Sequence, residues 1–313
     1  LTDGGRAAGA LVALVDSGGG YGCALRRFAD ASGDAAEEAA REATRAAIAA
    51  ADRPGERPDL VWLYGTPGQE ERALAGIEAV VGPETPILGG TAADNDVAGD
   101  WFVFADGEVT HSGVAVGVLY PSARLSFAYQ SGYAPTDRAG RVTRAEGRRI
   151  AEIDGRPAAP VYAGWTGGAV TVDPLGREMA EVAGVPFHLL AHPAEADAAG
   201  GLALFADVAE GERLVQMTGS ADGLTARAGR VARLALETGG MDPGDVAGAL
   251  LVYCGGCMLS VEDRLDDVTA GMRSALPETP FAGVFTFGEQ GPILGARNRH
   301  GNLMISCLVF SRR

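Results

Sequence analysis

Residues 58–90, "PDLVWLYGTPGQEERALAGIEAVVGPETPILGG", hold the pattern that decides the fold. The apolar run "DLVWLYG" reads as a strand. Thr66, Pro67 and Gln69 then mark a helix start, because proline is tolerated at the first helical position and Thr-x-x-Gln satisfies orphan amides reciprocally. Leu74, Ile77 and Val81 give that helix one apolar face, and "TPILGG" is the next strand. On the N-terminal side, "YGCALRRF" is a strand followed by an alanine-rich helix that Asp34 opens, with Glu37 at capping-box spacing. On the C-terminal side, "WFVFADGEVTHSGVAVGVLY" reads as a hairpin around Asp106-Gly107.

The same order returns after residue 210. "RLVQMTG" is a strand, Leu224, Ala228, Val231 and Leu234 make an amphipathic helix ending near Gly239, and "GALLVYC" is a strand. Ser260-x-x-Asp263 caps a helix with Leu265, Val268 and Met272 on one face; "TPFAGVFTF" and "LMISCLVF" follow as strands. Ser32 and Ser220 are offset by 188 and Tyr64 and Tyr253 by 189, whereas Thr66 and Ser260, and the identical "PETP" at Pro83 and Pro277, are offset by 194. The second copy therefore carries five extra residues, inside "CGGCML" at 254–259. The expected fold is mixed α/β, with duplicated strand-helix-strand-helix halves at about 21–120 and 210–311. Their mixed sheets should carry helices on one face and pack as one pseudo-two-fold assembly. Residues 125 to 210 read as a short strand pair, a brief helix and irregular connection.

A chain of 313 residues allows one large domain or two, and 47% hydrophobic with 21% charged residues is a globular composition. No apolar run reaches membrane-spanning length and no basic-then-apolar signal is present, so a cytoplasmic protein is expected. The net charge of -15 disfavours nucleic acid and anionic membrane surfaces as partners. The absence of lysine excludes Schiff-base and Walker-type chemistry.

Four cysteines in a chain of this length do not make a disulfide framework. Cys254 and Cys257 form one CxxC pair, but no second CxxC pair follows to complete a zinc site. The pair also precedes a helix, as a redox pair does, which leaves thiol redox chemistry and an inert or ligand-contacting pair as alternatives. In "GEQGPILGARNRHGN", Gly288, Gly291 and Gly295 permit close backbone approach, while Glu289 emerges from an apolar strand as either a ligand for an amino group or a turn carboxylate. His111 and His300 each precede a strand, which favours hydrogen bonding at a strand entrance; His300 is the first candidate if heme binds. "ILGGTAADND" offers the backbone of Gly89, Gly90 and Thr91 after a strand without a GxGxxG fingerprint. Without a GxSxG elbow, an HExxH motif or a triad, the residues favour binding over catalysis.

The order "PDLVWLYG", "TPILGGTAADND", "AEIDGRPAAPVY", "DPLG", "ADVAEGERLVQMTGSAD", "ALLVYCGGC", "PETPFAGVFTFGEQGPI" and "RHGN" resembles the FIST family from about Tyr21 to Phe310. The resemblance implies an N-terminal domain over 20–153 and a C-terminal domain over 154–313. It also implies a sensory domain for amino acids or similar metabolites, without a resident cofactor, acting through a downstream signalling protein. Some members are heme proteins that sense nitric oxide, which makes heme the alternative cofactor. This sequence departs from the family pattern at Cys257, where an arginine is usual, and at Gly301, which separates His300 from Asn302. The expected ligand pocket lies where the halves meet: Cys254, Gly255 and Cys257 on one wall, Gly288 and Glu289 on another, His300 and Asn302 at the rim, and Gly90 and Thr91 from the first half.

Overall fold

A computed structural model describes all residues except 3, 4, 6, 8, 95–97, 169–172, 183–184, 294–296 and 313. The N-terminal part contains β1 (Gly20–Arg27), α1 (Gly33–Ala50), β2 (Leu60–Gly65), α2 (Glu70–Val81), β3 (Ile87–Thr91), β4 (Val103–Ala105), β5 (Glu108–Thr110), β6 (Gly113–Tyr120) and β7 (Leu125–Gln130). The middle contains β8 (Ala134–Glu146), β9 (Arg149–Ile153), β10 (Arg156–Pro157), α3 (Ala158–Thr166), β11 (Leu175–Val182), β12 (Val185–Ala191), β13 (Pro193–Ala196), β14 (Leu202–Leu204) and β15 (Arg213–Thr218). The remainder contains α4 (Ala221–Gly239), β16 (Val246–Cys254), α5 (Gly255–Leu259), α6 (Leu265–Ala275), β17 (Phe281–Thr286), β18 (Glu289–Ile293), β19 (Arg297–Gly301) and β20 (Ile305–Ser311). These elements form two compact units: residues 1–129, 225–300 and 305–313 make the first, and residues 130–224 and 301–304 the second.

The first unit holds two mixed sheets, ordered β1-β6-β2-β3-β18-β19 and β17-β16-β20-β7. In each, a central strand pairs in parallel with one neighbour and antiparallel with the other: β2 with β3 and β6, and β16 with β17 and β20. The outer places differ. Beside β6 stands β1, but beside β20 stands β7, while "RLVQMTG" (β15) belongs to the second unit's sheet, between β11 and β8.

Side-chain alternation along β2 decides what each face of the larger sheet covers. Val61 and Leu63 face α1 and α2, joining Ile87, Val114, Val116 and Val118 in one core. Leu60 and Trp62 face the other way and meet Leu308, Phe310, Phe127 and Leu250 of the second sheet. A fully buried leucine such as Leu60 or Leu308 contributes roughly 1.5–3 kcal/mol, so this contact between sheets is a principal support of the unit. Alanines 36, 39, 40, 43 and 47 line the buried stripe of α1, and small side chains there bring helix and sheet close.

The helix starts differ from their sequence reading. Ser32 caps α1, its Oγ accepting from Ala35 N–H (3.2 Å), while Asp34 lies in the first turn and pairs with Arg72. Gln69 precedes α2 without a side-chain cap; Thr66 instead donates to the Gly113 carbonyl (3.3 Å), and the Glu70 carboxylate accepts from Gly68 N–H (3.1 Å). Ser260 closes α5 by donating to the Gly256 carbonyl (2.9 Å) and does not open α6, which follows Arg264. The hairpin at Asp106-Gly107 forms as expected, with φ of 51° and 77° at its two central residues.

The second unit corrects the expectation of an irregular connection. It is an eight-stranded sheet ordered β12-β11-β15-β8-β9-β14-β13, with β10 on β9 and α3 packed on the same core through Val161 and Tyr162. Arg177 and Glu212 form a bidentate ion pair there (2.7 Å for each contact), with Arg177 buried.

Candidate functional site

The stretch "EQGPI" is strand β18 and not a turn. It pairs antiparallel with β3, setting Glu289 opposite Gly90 and Gln290 opposite Gly89. Thr91 N–H donates to the Gly288 carbonyl (2.7 Å), and Phe287 N–H donates to the Thr91 carbonyl (3.1 Å). Glycine at 90 permits this approach, since a Cβ there would lie 2.2 Å from Thr286 Cγ2. At Gly288 a Cβ would lie 2.3 Å from His300 Cε1, so the imidazole rests on bare backbone.

A buried polar chain runs along this junction. Thr286 donates to the Glu289 carboxylate (2.6 Å), and the Glu289 carbonyl accepts from the Tyr129 hydroxyl (2.9 Å). Thr91 Oγ1 donates to Glu70 (3.1 Å); Gln290 Nε2 lies 3.3 Å from Thr91 Oγ1 and 3.0 Å from His300 Nδ1. Glu289 has no exposed surface, and Thr91, Gln290 and His300 are buried with it. Such a set holds two strands in register, because every buried polar group left unpaired would cost free energy.

Cys254 ends β16 and Cys257 lies one turn into α5, the five-residue helix at 255–259. Both are buried free thiols. Their mutual hydrogen bond, then burial, then the charges of Cys257 and Glu289 push the Cys254 thiol well above its ordinary range, with Arg227 acting in the opposite sense. This is the reverse of an activated thiolate. Arg227 on α4, 2% exposed, sits with its guanidinium carbon 4.2 Å from the centre of the Tyr253 ring. Sequence reasoning passed over Arg227, although its place three residues after Leu224 puts an arginine on the apolar face of α4.

A cleft of about 830 Å³ opens in the same unit. Trp62 and Tyr64 of β2 line it together with Leu250 of β16, Val284 and Phe285 of β17, Phe287, and Met258 and Leu259 of α5. Among the described lining residues, Asp94 and Glu262 are acidic. Trp62 and Tyr64 meet edge to face (5.9 Å), as do Phe287 and Trp101 (6.3 Å), which fixes the aromatic walls.

Of the residues expected at the pocket, only Gly255 lines this cleft. Gly90, Thr91, Gly288, Glu289 and His300 come together at the β3–β18 junction, but inside the protein. Asn302 belongs to the second unit, where its Oδ1 accepts from His192 N–H (3.1 Å) and its own N–H donates to the Leu190 carbonyl (2.9 Å). Gly295 lies outside the described residues. His111 is exposed, with Nδ1 2.8 Å from the Trp101 carbonyl oxygen. A heme iron on His300 does not fit: the ring is 2% exposed, packed against Gly288 and Gln290, and absent from the cleft walls. No group of three or more metal-ligating side chains occurs among the described residues, and no helix there is long and apolar enough to cross a membrane.

Comparison with known proteins gives relatives of unassigned function. Uncharacterized protein MJ1623 of Methanocaldococcus jannaschii is 42% identical over 77 residues, 25% of this chain and 15% of its own. Uncharacterized protein Rv0628c of Mycobacterium tuberculosis is 29% identical over 231 residues, 70% of this chain and 59% of its own. The chain thus spans less than two thirds of these relatives. A crystal structure of cyanuric acid hydrolase from A. caulinodans aligns over 93% of this chain and 68% of its own, at 11% identity and a TM-score of 0.28. The FIST N domain matches residues 3–156 and the FIST C domain matches residues 158–292, so the chain belongs to the FIST family of sensory and signal-transduction domains.

Proposed function

We propose that this chain is a non-enzymatic sensory module that binds an amino acid or related metabolite in the cleft of its first unit and passes the signal to a partner protein. The cleft carries the reading. At about 830 Å³ it has the volume of a small-molecule site, with aromatic walls and, among the described lining residues, few polar side chains. The short helix α5, which joins β16 to the next helix, supplies Gly255, Met258 and Leu259 to its wall, and connections at the end of a rigid strand are where binding residues concentrate. The raised Cys254 thiol supports binding over thiol catalysis.

A thermal-shift screen of amino acids and related metabolites tests this. A true ligand at ~100 times its dissociation constant contributes about 2.7 kcal/mol of stability, and Val284→Trp, which fills the cleft wall, should abolish that gain. If no compound stabilises the protein, or if the filled variant responds like the parent, the reading fails.

A further inference from the structure

One member of the buried polar chain at the β3–β18 junction is satisfied on one side alone. Gln290 Nε2 donates to Thr91 Oγ1 (3.3 Å) and lies 3.0 Å from His300 Nδ1, whereas no group among the described residues donates to Gln290 Oε1, which is buried. Because the Thr91 hydroxyl donates its own proton to Glu70 (3.1 Å), its oxygen calls for a donor; this sets the amide with Nε2 toward Thr91 and Oε1 away from it. Gln290 lines a small cavity together with Phe28, Leu63, Thr66, Glu70 and Ala73. The cavity lies where the carboxyl ends of the parallel strands β2 and β3 meet the first turn of α2.

We propose that this cavity is the binding site of a single buried water molecule, which donates one hydrogen to Gln290 Oε1 and the other to the Glu70 carboxylate. The size fits, since about 10 Å³ of room for the molecule's centre is close to the ~10–15 Å³ that one water takes up. The chemistry fits as well. A buried amide oxygen without a donor is costly, and a carboxylate has about four acceptor sites, so Glu70 can accept from water as well as from Gly68 N–H (3.1 Å) and the Thr91 hydroxyl. Two other polar neighbours are turned elsewhere: the Thr66 hydroxyl exchanges hydrogen bonds with Gly113 (3.3 and 3.1 Å), and Gln69 Nε2 donates to the Ala31 carbonyl (2.8 Å). The water joins α2 to β18, a link that otherwise runs through Thr91.

A high-resolution crystal structure of the full chain tests the site directly: one density peak should lie about 2.5–3.0 Å from both Gln290 Oε1 and a Glu70 carboxylate oxygen. In solution, oxygen-17 magnetic relaxation dispersion reads the number of long-lived internal waters. Ala73→Val, which narrows the cavity, and Gln290→Met, which lacks the amide oxygen, should each lose the signal of one such water, while Gly164→Ala in α3 should keep it. No peak between the two side chains overturns the proposal, as does a peak ringed by about six oxygens at about 2.3–2.6 Å, the mark of a metal ion. An unchanged dispersion in both cavity variants overturns it too. If neither variant folds, the density in the unaltered protein decides alone.

Discussion

At the scale of single residues, Cys254 was the most visible feature of the sequence and proves one of the least reactive in the structure. Its spacing from Cys257 was legible; its environment was not, because Glu289 and Arg227 come from distant segments. Native protein treated with Ellman's reagent at pH 8 should give one fast thiol, exposed Cys23, with buried Cys254, Cys257 and Cys307 appearing only in denaturant. Fast labelling in a Cys23→Ser variant would contradict this. The same shifts carry a pH dependence. Cys254 is raised and Cys307 is pushed up to about 12 by burial, so above about pH 8.5 the unfolded chain releases thiol protons that the folded chain keeps. These two groups therefore reduce stability as pH rises past that point, and add nothing below it. Asn302 was misplaced for a related reason: its neighbours are set by pairing with Leu190 and His192, which no local spacing records.

At the scale of elements, apolar periodicity located α1, α2, α4, α6, β2, β16 and β20. It missed β18 because "EQGPI" mixes a carboxylate, a glycine and a proline, and acquires strand geometry only by pairing with β3. Likewise β8, "APTDRAGRVTRAE", is mostly polar and is held by its neighbours β15 and β9. Helix contacts give a sharper test. A Cβ at Gly76 in α2 would lie 2.1 Å from the Glu37 carbonyl oxygen of α1, whereas one at Gly164 in α3 meets nothing within 4 Å. Gly76→Ala should destabilise by about 1–3 kcal/mol, and Gly164→Ala should stabilise by roughly 0.5–1 kcal/mol, in urea denaturation followed by circular dichroism. If both alanines stabilise, the α1–α2 contact is looser than described.

For the whole molecule, the net charge of -15 gives a salt response. Raising sodium chloride from ~10 mM to ~200 mM should increase the unfolding midpoint, since screening relieves self-repulsion. A midpoint that falls or stays level would show that local ion pairs outweigh the global charge. The FIST N and FIST C matches divide the chain near 156–158, and the compact units do not follow that division: the first gathers residues 1–129 with 225–300 and 305–313. The junction of β3 with β18 joins residues 90 and 289. Closing so long a loop is slow, because its entropy is lost before the contacts form. During synthesis, β3 therefore waits as an open, glycine-bearing sheet edge until almost the entire chain has left the ribosome. An N-terminal domain cut at residue 156 would keep that edge permanently, presenting its unpaired backbone to other copies as a template for aggregation.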